Sequence, residues 1–183
     1  MGDRRKTPNA PQTWATPPAL VRALEDRYTR DGFDLDAAAN ASNAVAEHWL
    51  GPGSSISEDA LTVPWCTHWR ITAAGGTYEA ETPAAAVFVN PPWNRVGEWV
   101  THALAEVQAG HCEVVVLVLP TRAETAWWRS LECPPEGVIS QRDMIRGRVA
   151  YVDPLAQGRS APAEGTTVWV LRPELDARAF RRP

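Results

Sequence analysis

Two unbroken apolar runs with an amphipathic stretch between them constrain the fold of this chain more than any other feature. Ala84–Asn90 form the first run, which Pro91 and Pro92 stop abruptly, and Val114–Leu119 form the second. The second run has the pattern of a strand covered on both faces in a parallel sheet. Between the runs, apolar residues recur on one face of a predicted helix: Val96, Trp99, Val100, Ala103, Leu104 and Val107. This order predicts part of an α/β sheet.

The sequence before these runs predicts a helix, a strand and then irregular structure. Thr16 followed by Pro17 is typical of a helix N-cap with proline just inside, so we expect a helix over Pro17–Arg30. Phe33–Asp36 is a short strand-like run, and a tight turn and a second helix are expected to follow it. Residues 51–83 are interrupted by glycine and proline, which predicts loops with short strands.

The C-terminal part changes from alternating elements to a series of strands. Glu124–Leu131 is expected to be a helix, and three short strands are predicted at Val138–Ser140, Arg148–Val152 and Thr166–Leu171. Alternating helices and strands followed by such a series predict an α/β sheet that is mostly parallel, with an antiparallel C-terminal edge. Ligands of such sheets bind beyond the carboxyl ends of the strands.

Length and charge limit the classes of protein to consider. With 183 residues, of which 44% are hydrophobic, the chain suits one compact domain, which we place at 14–175 between a mobile arm at 1–13 and a short tail at 176–183. A net charge of −4 argues against a protein that coats polyanions nonspecifically, but it allows an enzyme that touches DNA locally. No run approaches the roughly 20 apolar residues of a membrane span, so we expect a cytosolic protein.

Cysteine and histidine do not form a recognisable metal site in the sequence. The three cysteines Cys66, Cys112 and Cys133 lack paired short spacing, which predicts reduced, at least partly buried thiols rather than disulfides. The four histidines form no ligand set either. We therefore expect no metal.

The stretch Asn90-Pro91-Pro92-Trp93 carries the most chemical information. Two prolines fix the backbone and lack N–H groups, so the turn presents carbonyl acceptors rigidly. The Asn90 side-chain oxygen and the Pro91 carbonyl could accept both hydrogens of an aromatic amino group, which would make its nitrogen lone pair available for transfer of a methyl group. Trp93 could stack on a base that has left the duplex. The alternative is a strand ended by proline, followed by a buried tryptophan.

Six landmarks in a fixed order decide between these readings. They are Trp14-Ala15-Thr16-Pro17, Leu35–Ala39 with Asn43, Asp59-Ala60-Leu61 with Trp65, Phe88–Trp93, Leu119–Arg122 with Trp127, and Gly147-Arg148-Val149. In these residues the chain resembles the phage-type DNA N6-adenine methyltransferase family, often called Dam-like. The resemblance implies a class I methyltransferase sheet, S-adenosylmethionine as methyl donor, DNA as partner and the adenine amino group as acceptor. It also suggests a phage protein that acts in the cytoplasm of a bacterial host.

The resemblance also implies roles for single residues. Asp36, with Ala37, would hold the methionine ammonium of the cofactor. Thr16 and Pro17 would reach the methionine carboxylate at a helix N-terminus. Asp59, with Leu61, would bind the adenosine.

Simpler explanations stay open for each of these residues. Asp36 could cap a following helix, Thr16 could be an N-cap and no more, and Asp59 could be an exposed loop acid. Asn43 is a weaker cofactor candidate, because it is as plausible as a loop or helix residue. Asn90 itself is expected to line both the cofactor site and the base site.

Arginines supply the candidate contacts to DNA. Arg122 follows a predicted strand at the same edge of the sheet and could meet a phosphate, or pair with Glu124 on the surface. Arg142, Arg146 and Arg148 could contact phosphates together, or form a solvated charge cluster.

Substrate choice remains open at this point. An Asn-Pro-Pro-aromatic turn suits the amino group of cytosine as well as that of adenine. RNA or a protein glutamine amide is a more distant possibility. A DNA-binding module without catalysis on a methyltransferase scaffold is a further alternative, and the oligomeric state is not predicted.

Overall fold

The computed structural model of the protein describes residues 15–71, 78–152, 159–160 and 164–174. The expected arm, the expected tail and Trp14 lie outside these residues. Within them the chain forms three helices and ten strands, which follow in this order: α1 (Pro18–Tyr28), β1 (Leu35–Asp36), β2 (His48–Trp49), β3 (Cys66–Ile71), β4 (Tyr78–Pro83), β5 (Val87–Val89), α2 (Val96–Gln108), β6 (Val115–Pro120), α3 (Ala126–Glu132), β7 (Val138–Met144), β8 (Tyr151–Val152), β9 (Arg159–Ser160) and β10 (Thr166–Pro173).

Six strands form one mixed sheet in the order β2-β1-β5-β6-β10-β7. Strands β2, β1, β5 and β6 run parallel, whereas β10 is antiparallel to β6 and to β7. This confirms the predicted α/β sheet with an antiparallel C-terminal edge. Because β10 runs the other way, its first residues lie beside the end of β6, where Thr166 is opposite Pro120. We call this side of the sheet, where β1, β5, β6 and β7 end, the carboxyl edge.

The sheet has a hydrophobic core on each face. Helices α2 and α3 cover one face, where Trp99, Trp128 and Leu131 pack, and α1 covers the other with Val21 and Leu24. Alternate residues of β6 belong to opposite cores, which is why the run in the sequence is unbroken. Full burial of each valine or leucine stabilises the fold by roughly 1.5–3 kcal/mol.

Helices α2 and α3 confirm the two helices that the sequence predicts at these positions. All six residues of the predicted apolar face of α2 are buried. Helix α3 begins two residues later than expected, at Ala126, and Trp128 is its buried tryptophan. The cysteines agree with the prediction in part: all three thiols are free and Cys66 and Cys112 are buried, whereas Cys133 is exposed.

The prediction for the start of α1 was wrong in one detail. The helix begins at Pro18, Pro17 is its N-cap residue, and no side chain caps it. Thr16 lies one residue before the cap. Its hydroxyl contacts a different part of the molecule, which the site below explains.

The helix expected after β1 is absent, since residues 37–47 form turns and loop before β2. The carboxylate of Asp36 accepts hydrogen bonds from the backbone N–H groups of Ala38 and Val45, so the chain curls around this side chain. Strand β2 then returns directly beside β1, with Leu35 opposite His48. Gly51 (φ +136°) closes the loop, because a Cβ there would lie 2.1 Å from the Ala39 carbonyl oxygen.

The middle of the chain combines the expected loop with a longer pair of strands. Residues 51–65 are turns and loop, whereas β3 and β4 pair antiparallel outside the main sheet. Strands β8 and β9 form a second separate pair. In the described parts of the chain, no helix is both long and apolar enough to cross a lipid bilayer.

Candidate active site

The Asn90–Trp93 turn follows β5 at the carboxyl edge. Pro91 is buried, whereas Asn90, Pro92 and Trp93 are partly exposed. The Pro92 carbonyl accepts a hydrogen bond from the backbone N–H of Arg95 at 3.0 Å, which leads the chain into α2. The turn therefore places one amide and one aromatic side chain where an α/β sheet binds its ligands.

The side chain of Asn90 is oriented by Thr16. Its Nδ2 donates a hydrogen bond to Thr16 Oγ1 at 3.0 Å. Thr16 is in turn fixed by its neighbour Ala15, which exchanges two backbone hydrogen bonds with Val152, at 2.8 and 3.0 Å. The contact between residues 74 positions apart brings the predicted cofactor threonine and the predicted catalytic amide into one site.

Trp93 is held from two sides. Its ring meets that of Tyr151 edge-on, with 5.6 Å between the centroids and 88° between the planes. Its carbonyl oxygen accepts a hydrogen bond from Arg122 Nη1 at 3.2 Å. The ring also packs against both hydrophobic cores. The structure thus gives Trp93 the packing role that the sequence left open, in a position beside Asn90.

Arg122 has partners within the chain. Its Nε and Nη2 donate to the two carboxylate oxygens of Glu164, at 2.6 and 3.1 Å, while Nη1 holds Trp93. The sequence suggested a phosphate or Glu124 as partner. Glu164 lies 42 positions away, beyond a loop rich in glycine and proline, and no local signal pointed to it. This bidentate pair, together with the bond to the Trp93 carbonyl, fastens the Asn90–Trp93 turn to the residues just before β10.

Asp36 is a buried carboxylate on the neighbouring strand end. It is 2% exposed and lies opposite Phe88, two residues before Asn90. Its oxygens accept the N–H groups of Ala38 and Val45, each at 3.1 Å. Burial raises the pKa of this carboxyl to about 7, although both hydrogen bonds act to lower it. Among the described residues, no lysine, arginine or histidine forms an ion pair with Asp36.

Ala37 and Asn43 shape the loop around Asp36. Ala37 is fully buried, and its N–H donates to the Phe88 carbonyl at 2.9 Å, which joins the ends of β1 and β5. Asn43 Oδ1 accepts the N–H of Asn40 at 2.7 Å, inside the loop. Both contacts lie within the chain and hold the loop around Asp36.

Asp59 and Leu61 lie in the loop before β3. Asp59 is exposed, and its Oδ1 accepts the N–H of Leu61 at 3.0 Å. Leu61 packs, partly buried, against the core under α2. The pKa of the Arg95 guanidinium is raised mainly by its pair with Glu98 and further by the charge of Asp59. The charge of Asp59 thus acts on Arg95, the residue that immediately precedes α2.

The three arginines near β7 do not form one cluster. Arg142 pairs with Glu132 at 2.8 Å, and its guanidinium lies over the rings of Trp128 and Trp169 at 5.4 and 5.6 Å. Arg146 and Arg148 are exposed and follow β7 at the carboxyl edge. Only these two share the edge with Asn90. No group of three histidine, cysteine, aspartate or glutamate side chains within the described ranges is arranged to hold a metal ion.

Comparison with solved structures gives a match of low sequence identity. One match is an RNA methyltransferase from Pyrococcus horikoshii, with 11% sequence identity and a TM-score of 0.35. The match covers 53% of this chain, which spans about half (48%) of the length of that protein. A similarity at this level carries no argument about function. No curated protein matches the chain.

Comparison with protein families is decisive. A family model described as DNA N-6-adenine-methyltransferase (Dam) matches residues 5–178, nearly the whole chain. The match includes every element of the described site. It confirms the resemblance carried by the six landmarks, and its description is that of a family of adenine-specific DNA methyltransferases. The chain belongs to the DNA N-6-adenine-methyltransferase (Dam) family.

Proposed function

We propose that the protein transfers a methyl group from S-adenosylmethionine to the exocyclic amino group of an adenine that has left the DNA duplex. One observation carries this proposal: the Asn90 amide, oriented by Thr16, follows the end of β5, the strand that pairs with β1 at the buried Asp36. An amide that can engage an amino group and a buried anion that can engage a cation thus stand on neighbouring strand ends.

The residues present fit the proposed cofactor. A buried carboxylate without a cationic partner in the described structure suits the ammonium of the methionine moiety, because ionising Asp36 is costly until a cation approaches. Thr16 and the N-terminus of α1, with Pro17 at its cap, suit the methionine carboxylate. Asp59 would accept hydrogen bonds from the adenosine, with Leu61 as an apolar wall, while Ala37 and Asn43 support the loop around Asp36. When bound, S-adenosylmethionine supplies an electrophilic methyl group.

The Asn90–Trp93 turn makes the acceptor nitrogen reactive. The oxygen of Asn90 and the Pro91 carbonyl accept the two amino hydrogens and draw the nitrogen lone pair out of conjugation with the ring. The nitrogen would then form its bond to the methyl carbon as the bond from that carbon to the sulfonium sulfur breaks, and it would lose one proton to solvent. Orienting the two reacting groups in this way should accelerate methyl transfer strongly, since well-oriented intramolecular reactions show effective molarities of roughly 10⁵–10⁸ M. Trp93 stacks on the base, beside Tyr151.

DNA would approach the carboxyl edge of the sheet. Arg146 and Arg148 are exposed there and suit phosphate contacts, whereas Arg142 and Arg122 already hold carboxylates of the chain. Contacts to phosphates position the duplex, and the turn reads the base.

The experiment is methyl transfer from labelled S-adenosylmethionine to unmodified DNA, followed by nucleoside mass spectrometry. We expect N6-methyladenine from the parent protein. Asn90→Ala should lower the single-turnover rate by roughly 10²–10³, as for the loss of one oxyanion-hole donor, with cofactor affinity retained. Asn90→Asp keeps a hydrogen-bond acceptor, so its single-turnover rate should lie between those of the parent and Asn90→Ala.

Three other results would each change a different part of the proposed function. A methylated cytosine product would replace adenine as the base. An alanine variant at the parental rate would remove Asn90 from the chemistry. At a concentration 100 times its dissociation constant, S-adenosylmethionine should stabilise the protein by about 2.7 kcal/mol and raise its melting temperature. If no thermal shift occurred over a wide range of cofactor concentrations, a DNA-binding module without catalysis would be favoured.

A further inference from the structure

We infer that Thr16 is a positioning residue that couples cofactor binding to the orientation of Asn90. The inference rests on the proposed function and extends it. Its basis is the hydrogen bond from Asn90 Nδ2 to Thr16 Oγ1, at a threonine that is only 5% exposed. An N-cap threonine would turn its oxygen to the helix backbone, but no side chain caps α1 and this one faces the catalytic amide.

The donors and acceptors of the two side chains define what the contact can do. A hydroxyl has one O–H donor and two acceptor positions. Asn90 uses one acceptor position of Thr16, so the O–H of Thr16 points toward a different group. The carboxylate of the methionine moiety is the proposed ligand at this end of α1. A bound cofactor would therefore complete a chain in which Asn90 donates to Thr16 and Thr16 donates to the carboxylate.

This chain of hydrogen bonds has a consequence for Asn90. Because its nitrogen donates to Thr16, the rotation of the Asn90 amide is restricted, and with it the direction in which the amide oxygen points. Hydrogen bonds in a chain polarise one another, so the carboxylate strengthens the bond that Asn90 donates. Coupling between two ligands is reciprocal, so DNA bound at Asn90 should tighten cofactor binding by the factor with which cofactor tightens DNA binding.

Thr16→Val tests the role, because valine has nearly the shape of threonine and lacks the hydroxyl. We expect the single-turnover rate with saturating cofactor to fall about tenfold, since one orienting hydrogen bond is lost. Thr16→Ser should restore most of the rate. Thr29→Val is the matched control, because its hydroxyl bonds to the Glu25 carbonyl at the other end of α1.

A double-variant cycle distinguishes positioning from independent action. If Thr16 acts through Asn90, Thr16→Val should change the rate less than about twofold in an Asn90→Ala background. The gain in cofactor affinity caused by DNA should also disappear in Thr16→Val. An equal loss of rate in both backgrounds would show that Thr16 does not act through Asn90 and would overturn the inference.

A measurement without catalysis separates this inference from the proposed function. The NMR signals of the Asn90 side-chain amide should shift on addition of S-adenosylmethionine, and the shift should vanish in Thr16→Val but persist in Thr16→Ser and Thr29→Val. A shift that survives in Thr16→Val would contradict the coupling, even if methyl transfer occurs. A protein with the expected shifts but no methyl transfer would retain the coupling and lose the proposed function.

Discussion

Asp36 and Glu106 are two buried carboxylates with opposite surroundings. Asp36 is 2% and Glu106 6% exposed. Glu106 lies in the last turns of α2, away from the carboxyl edge, where its Oε2 accepts the N–H of Trp65 at 2.6 Å. The same oxygen is 2.9 Å from His111 Nδ1, and Oε1 is 3.5 Å from His102 Nε2. Asp36 has two backbone N–H groups and, in the described structure, no ion pair.

This difference indicates a structural role for Glu106 and a ligand-binding role for Asp36. Removing a carboxylate from water is costly unless charges and hydrogen bonds compensate. The chain compensates Glu106 with two histidine side chains and with the backbone N–H of Trp65, and this last bond joins α2 to the loop before β3. Asp36 is left with part of the cost, which a cationic ligand would relieve. A charge that the fold leaves uncompensated at the edge where ligands bind is therefore the stronger candidate for a binding residue.

The largest expected effect follows the removal of the Asp36 charge. Asp36→Asn keeps the size and one acceptor oxygen, but it cannot pair with an ammonium. Cofactor affinity should fall about 10–150-fold, the equivalent of roughly 1.5–3 kcal/mol for a hydrogen bond between charged groups. Isothermal titration calorimetry measures the affinity of each variant for S-adenosylmethionine. Asp34→Asn, at an acid that holds the Ala86 N–H, is the control and should keep its affinity. Equal affinities for parent and Asp36→Asn would exclude Asp36 from the site.

Glu106 should show the converse behaviour. In Glu106→Ala the N–H of Trp65 loses its acceptor in a buried position, so the free energy of unfolding should fall by about 1–3 kcal/mol. Glu106→Gln retains an acceptor and should lose less. Denaturant unfolding gives the stability and calorimetry the cofactor affinity, which should stay unchanged. If Glu106→Gln weakened cofactor binding as much as Asp36→Asn, the contrast between the two carboxylates would fail.

The raised pKa of Asp36 predicts how pH changes cofactor binding. Below about pH 7 the carboxyl is protonated, so affinity for an ammonium should fall roughly tenfold for each unit of pH. A free α-amino group loses its proton above about pH 7.7–8.0, so affinity should be greatest between these limits. Calorimetry from pH 5.5 to 8.5 tests this, and Asp36→Asn should remove the acidic limb.

The stability of the free protein should respond to pH in the opposite sense. The pKa of Asp36 is raised from 3.8 to about 7 on folding, so the folded state binds this proton more tightly than the unfolded state. The contribution of Asp36 to stability is therefore lost as the pH rises from about 4 to about 7. Bound cofactor should offset this loss, so its thermal shift should be larger at pH 8 than at pH 6. The same thermal shift at both values would contradict the assignment.

The smallest expected effect concerns the arginines near β7. Arg142 is paired within the chain, whereas Arg146 and Arg148 are exposed at the carboxyl edge. Replacing Arg146 and Arg148 together by glutamine should lower DNA affinity for all sequences and reduce the slope of log affinity against log salt by about 2. Arg142→Gln should leave that slope unchanged, because Arg142 is engaged by Glu132 and two tryptophans. Fluorescence anisotropy in a salt series measures both. A parental slope in the double variant would place DNA elsewhere.

Local patterns in the sequence were sufficient for part of the fold. The spacing of apolar residues predicted α2 with its buried face, and the unbroken run predicted β6 between two cores. The helix expected after β1 was wrong, because Asp36 binds two backbone N–H groups across a nine-residue loop and holds the chain in turns. Propensity cannot reveal such a contact, since its stabilisation depends on burial beneath the neighbouring strands.

By itself, the sequence determined the family, the Asn90–Trp93 turn and the order of the elements, because these depend on residue type and short spacing. Only the tertiary structure decided the partners: Asn90 with Thr16, Arg122 with Glu164 and Trp93, and Arg142 with Glu132. Each of these contacts is side-chain chemistry between elements distant in the sequence or on neighbouring layers. Their geometry follows from how the strands align in the sheet and how the helices and loops pack on it, which no local pattern encodes.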